Sequence, residues 1–126
     1  MKLGRLNHVG VATPSIEASI AFYREVMGAE LIREPFDMPE QGVRVCFVDA
    51  PNAQIELIEP LGESSPIHGF LARNPAGGQH HLCFEVPDIY EAKTWFEGKG
   101  GCRSTGPISS GRRRGASSDC FSLCIC

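Results

Sequence analysis

Leu6-Asn7-His8-Val9-Gly10-Val11-Ala12-Thr13-Pro14 is answered 73 residues later by Gln79-His80-His81-Leu82-Cys83-Phe84-Glu85-Val86-Pro87. At this offset His8 meets His81 and Pro14 meets Pro87; further on, Ile16 meets Ile89 and Gly28 meets Gly101. Phe22 and Tyr23 fall opposite Trp95 and Phe96. The identities are few, but they sit where backbone geometry or chemistry limits the choice. Self-similarity at a fixed offset marks a duplicated unit. Each copy reads as a short apolar strand, a proline and an amphipathic helix.

Outward from the first copy, Leu6 to Thr13 reads as a strand and Ser15 as the N-cap of a helix. Ile16, Ile20, Tyr23 and Met27 recur at helical spacing and are expected to face the core, with Gly28 ending the helix. Three strands are expected next, over Ala29–Glu34, Gly42–Asp49 and Ala53–Glu59, with a turn at Pro51-Asn52. A connector follows, with a short helix within Ile67–Ala72. The second copy then has a strand over His80–Val86 and a helix over Asp88–Gly98, where Asp88 and Glu91 resemble a capping box. This predicts an α+β fold of paired β-α-β-β-β modules, the second incomplete. The expected organisation is one domain over 1–126: module one 1–62, connector 63–77, partial module two 78–101 and an atypical tail 102–126.

The tail breaks the pattern with Gly, Ser, Arg and Cys. Arg103 and Arg112-Arg113-Arg114 against Asp119 give residues 100–126 a charge of +3, which leaves −6 for residues 1–99. A segment so poor in apolar residues is expected to be disordered or foreign to the fold, as a shifted reading frame would make it.

The chain has 126 residues, 42% hydrophobic and 21% charged, which suits one globular domain with its own core. No apolar run approaches the about 20 residues of a membrane span, so no membrane partner is expected. The net charge of −3 argues against nucleic acid. Met1-Lys2-Leu3-Gly4-Arg5 leads straight into the first strand without a signal-like run, and a cytoplasmic location is expected. Cys46 and Cys83 lie in apolar runs and read as small buried hydrophobes. There is no Cys-x-x-Cys pair to suggest structural zinc.

Three residues carry the chemistry. A single strand histidine is usually structural, but the repeat pairs His8 with His81, and imidazole is a common ligand of divalent metals. In Gln54-Ile55-Glu56-Leu57-Ile58-Glu59, alternation sends Gln54, Glu56 and Ile58 to one face and Ile55, Leu57 and Glu59 to the other. A carboxylate between Ile and Leu needs a partner, and a metal would serve. His8, Glu56 and His81 are therefore the candidate metal ligands. At the same offset the counterpart of Glu56 falls near position 129, past Cys126.

Several stretches together resemble the methylmalonyl-CoA epimerase family of the vicinal-oxygen-chelate (glyoxalase/bleomycin resistance/dioxygenase) superfamily. They are Asn7-His8-Val9-Gly10-Val11-Ala12, Pro39-Glu40-Gln41-Gly42-Val43, Ile55 to Gly62, and Asn74-Pro75-Ala76-Gly77-Gly78-Gln79-His80-His81 to Val86. The connector Ser65-Pro66-Ile67 with Phe70-Leu71 also fits. The resemblance covers residue 3 to about 100. It implies a homodimer, metal ligands at His8, Glu56 and His81, and a divalent ion, cobalt by family, with manganese, nickel and zinc as alternatives. The implied substrate is an acyl-CoA thioester and the setting propionate metabolism. The implied reaction interconverts (R)- and (S)-methylmalonyl-CoA by 1,1-proton transfer through a metal-stabilised enolate. The family's last metal-binding glutamate, also an acid/base, has no counterpart here. A base found in some members falls on Val45. The residues acting as bases stay unknown, and impaired activity is expected. The alternatives are another superfamily enzyme, such as a glyoxalase-like lyase or a dioxygenase, and a non-catalytic binding module.

Overall fold

A computed structural model describes residues 1–99 and 119–123. The elements are β1 (Leu6–Ala12), α1 (Ile16–Glu25), β2 (Phe36–Met38), β3 (Val43–Asp49), β4 (Gln54–Pro60), α2 (His68–Arg73), β5 (Gly78–Val86), α3 (Ile89–Gly98) and β6 (Asp119–Leu123). The fold is α+β, as expected. By contacts the chain divides into a larger unit, Val9–His80, and a smaller one, Met1–His8 with the residues from His81 onward.

In the larger unit β2, β3 and β4 run antiparallel in that order, with β1 beside β4. The β3–β4 ladder runs from Val43↔Pro60 to Asp49↔Gln54. The Ala50–Ala53 turn closes it, Ala50 N–H donating to the Ala53 carbonyl at 3.0 Å. The Thr13 N–H donates to the Ile58 carbonyl at 2.8 Å. Period-two alternation gives this sheet two apolar faces. On one, Val43, Val45 and Ile58 pack with Ala12 and Ile67; on the other, Cys46, Val48 and Leu57 pack with Ile16 of α1.

In the smaller unit the Gly4 N–H donates to the Glu85 carbonyl and the Glu85 N–H to the Arg5 carbonyl, both at 2.9 Å. This lays the start of the chain along β5, and β6 pairs antiparallel with β5 from Leu82↔Leu123 to Val86↔Asp119. Val86, Ile89 and Ala92 form its core, with Met1 and Phe96 against them.

The repeat is kept in detail. α1 and α3 are each 10 residues long and begin at Ile16 and Ile89, both buried. Their N-caps, Ser15 and Asp88, stand at the same offset. Ser15 Oγ accepts the Ala18 N–H, and the Asp88 carboxylate accepts those of Tyr90 and Glu91. Each cap satisfies amide protons that no helical carbonyl reaches. The Glu91 carboxylate pairs with the amino group of Met1 at 3.3 Å instead of closing a capping box.

Four expectations need correction. Residues 29–34 form no strand: Ile32 makes a single bridge to Val48, and Pro35, lacking a donor, interrupts the segment. The strand falls later, as β2, because the Pro39–Gly42 turn (Gly42 at φ 67°) folds Phe36–Met38 back onto Val43–Val45. Met27 is 62% exposed, because α1 ends at Glu25, before Met27 could complete the stripe of Ile16, Ile20 and Tyr23. The tail holds β6, where Cys120, Phe121 and Leu123 form an apolar run that the composition of the whole segment conceals. The rest of the tail, including the arginine run, lies outside the described residues. Cys46 is a buried thiol, as expected; its Sγ donates to the Arg33 carbonyl, and burial pushes its pKa up. Cys83 is buried but disulfide-bonded.

Leu57 is fully buried. Leu57→Ala is expected to cost about 2–5 kcal/mol in urea unfolding, through lost transfer energy and the cavity left behind. Met27→Ala should stay within about 0.5 kcal/mol. Equal losses would show that α1 is placed wrongly.

Candidate functional site

β1 and β5 bring His8 and His81 together in the smaller unit. Their Nε2 atoms are 3.3 Å apart and their rings stand edge to face, with centroids 5.4 Å apart. On its far side the His8 Nδ1 is 2.9 Å from the Asn7 Oδ1, and the Asn7 Nδ2 donates to the Glu85 Oε1 at 3.3 Å. An amide oxygen only accepts, so this contact is a hydrogen bond in the tautomer with the proton on Nδ1, the one that leaves the lone pair on Nε2.

His80 behaves differently from its neighbour. In the larger unit it packs edge-on against Phe70, centroids 5.1 Å apart, and burial lowers its pKa. Successive strand residues face opposite ways, so one of this adjacent pair lies on apolar surface while the other faces His8.

Glu56 belongs to the larger unit, on β4 opposite Phe47 of β3. It shares its face with Ile58, which lies in the cluster of Val43 and Val45. Lost hydration pushes its carboxyl up from 4.5 to about 7. On the other face, Glu59 Oε2 accepts the Ile16 N–H at 2.7 Å, at the N-terminus of α1. Glu59 thus anchors the helix that packs there. Gln54, also buried, donates its amide to the Asp49 carboxylate.

Sequence reasoning singled out both histidines and Glu56, and the structure sets the first two against each other. It missed Asn7 and Glu85. Only the position of Asn7 beside a candidate ligand could have pointed to it; Glu85 is 78 residues away in the chain and carried no signal.

The fold and this site define a class. A family model described as the glyoxalase/bleomycin resistance protein/dioxygenase superfamily matches residues 7–121, and the chain belongs to that superfamily. Within it, the similarities point to the methylmalonyl-CoA epimerase family. The chain is 56% identical over 91 residues to the ethylmalonyl-CoA/methylmalonyl-CoA epimerase of Cereibacter sphaeroides, a match covering 72% of this chain and 67% of that protein. It is also 56% identical over 87 residues to the mitochondrial methylmalonyl-CoA epimerase of Bos taurus, covering 69% of this chain and 49% of that one. A solved methylmalonyl-CoA epimerase in complex with methylmalonyl-CoA and NH4+ matches with a TM-score of 0.68 and 30% identity, covering 79% of this chain and 72% of that one. The chain thus spans about half to two thirds of the length of the curated relatives it matches.

The raised carboxyl of Glu56 has a pH signature. Unfolded, it ionises near 4.5; folded, it keeps its proton up to about 7. Between those values the unfolded chain binds fewer protons than the folded one, so stability falls as pH rises through that window. The full loss is about 3 kcal/mol, by the linkage of pKa to free energy. Glu56→Gln should flatten this decline in chelator-treated protein, read by urea midpoints from pH 4.5 to 7. A decline that persists in the variant would assign it to another group.

Proposed function

We propose that the chain is a metal-dependent epimerase that interconverts (R)- and (S)-methylmalonyl-CoA, with His8, Glu56 and His81 as the metal ligands. The observation that carries this reading is the approach of the two Nε2 atoms, at the positions related by the repeat. Two nitrogens each about 2.1 Å from one divalent ion and about 90–110° apart would stand about 3.0–3.4 Å from each other. The observed 3.3 Å suits such a pair. Two imidazoles and a carboxylate are donors that cobalt, manganese, nickel and zinc all accept. The donor set fits the group.

When bound, the ion would act as a Lewis acid toward the oxygens of a 1,3-dicarbonyl thioester. The chain's own residues prepare that site. His8 offers a fixed lone pair. Glu56 must lose a proton to act as a ligand, and burial, which pushes its pKa up to about 7, makes cation binding compete with that proton. Glu56 shares its sheet face with Phe47 and Ile58, and burial withdraws its carboxyl from water. Epimerisation moves the proton on C2 from one face to the other, which calls for a group that takes it and a group that returns it. Glu59 is occupied at the helix terminus, and Val45 is an inert core residue.

Cobalt is the ion proposed, by the family resemblance, and an acyl-CoA thioester the substrate, within propionate metabolism in the cytoplasm. No helix among the described residues is long and apolar enough to cross a membrane. A homodimer is proposed as well; Phe22, Val26, Met27 and Leu31 expose the kind of apolar side chains that a second copy covers.

Deuterium wash-in at C2 of methylmalonyl-CoA, followed by NMR after reloading with cobalt, tests the assignment. Exchange is expected with the wild type, and His81→Ala should slow it at least about a hundredfold, beyond the usual loss for an outer-shell partner. Equal rates in the two proteins, or equal cobalt content after dialysis, would remove His81 from the site.

A further inference from the structure

Asn7 and Glu85 lie outside the donor set, yet they form a continuous chain of hydrogen bonds to it. Glu85 sits next to the amide because its backbone is bonded on both sides to the start of the chain, to Gly4 and to Arg5. The approach there is close: a Cβ at Gly4 would stand 2.6 Å from the Glu85 carbonyl oxygen. All four residues of the chain, Glu85, Asn7, His8 and His81, belong to the smaller unit.

We propose that Glu85 and Asn7 are positioning residues that hold His8 in the tautomer whose Nε2 lone pair faces His81. This rests on the reading of His8 as a metal ligand. The Glu85 Oε1 accepts from the NH2 edge of Asn7, which turns the amide oxygen toward His8. That oxygen can only accept, so it draws the imidazole proton to Nδ1. The lone pair is then left on Nε2, where a cation would bind. With the amide reversed, its oxygen would oppose the carboxylate and its NH2 would meet Nδ1. The ring proton would move to Nε2 and block the ligand atom. Partners that fix the tautomer and orientation of a ligating histidine raise its value as a ligand. Asn7 therefore acts through His8, and Glu85 through Asn7.

The experiment uses the full chain, labelled with 15N-histidine and stripped with chelator. Long-range imidazole spectra report the tautomer, and the His8 signals are identified by their loss in His8→Gln. Wild type should show the Nδ1–H form. Asn7→Ala and Glu85→Leu should each show a mixture of tautomers. Glu85→Gln should restore the wild-type form, because its amide oxygen can accept the same Asn7 proton. Cobalt affinity by calorimetry should fall about 10–100-fold in Asn7→Ala and Glu85→Leu, and stay near wild type in Glu85→Gln. If Asn7→Ala keeps the Nδ1–H tautomer, the proposal is overturned, whatever happens to the melting temperature. A wild type that shows the Nδ1–H form but binds no cobalt would refute the metal reading instead, while the tautomer spectra still decide the roles of Asn7 and Glu85.

Discussion

The ladder between β3 and β4 decides what every side chain of the larger unit meets. Seven consecutive residue pairs lie in register, from Val43↔Pro60 to Asp49↔Gln54. With both faces apolar, a slip of one residue would turn each buried side chain to the wrong cluster. Val45 and Ile58 would leave one core, Cys46 and Leu57 the other. That penalty is spread over many contacts, so the register is strongly specified. The carboxylates ride on the same register. Glu56 stays among Val45, Phe47 and Ile58, and Glu59 reaches the first amide of α1.

Two carboxylates on one strand thus take separate tasks without any difference in their own chemistry. Glu59 meets an amide proton at a helix N-terminus, a place that favours negative charge. Glu56 is withdrawn from water, which favours the neutral acid. Environment alone separates a carboxyl that accepts a helix amide from one that burial pushes toward its neutral form. A comparable division separates His80, set on Phe70, from His81, set toward His8.

Much of this is legible in the sequence. Helix starts were legible because Ser15 and Asp88 leave a chemical signature at the cap, and the two copies check each other. Glu56 stood out as a candidate because a carboxylate bounded by Ile and Leu within a strand calls for a partner. Less visible was whatever depended on where the backbone turns. The position of β2 is set by the Pro39–Gly42 turn and not by the apolar residues of 29–34. The exposure of Met27 follows from where α1 stops. Glu85 escaped notice because its link to Asn7 joins distant parts of the chain through a polar contact that leaves no periodicity. The tail was averaged over its whole composition, which hid the short apolar run of β6.

Gly77 turns the chain into β5 at φ 83°, and a Cβ there would lie 2.3 Å from the carbonyl oxygen of Ala12. Backbone has no rotamer to swing aside, so any side chain at this position would have to push the two strands apart. The start of β5 can lie this close to the end of β1 only through the absence of a single carbon atom.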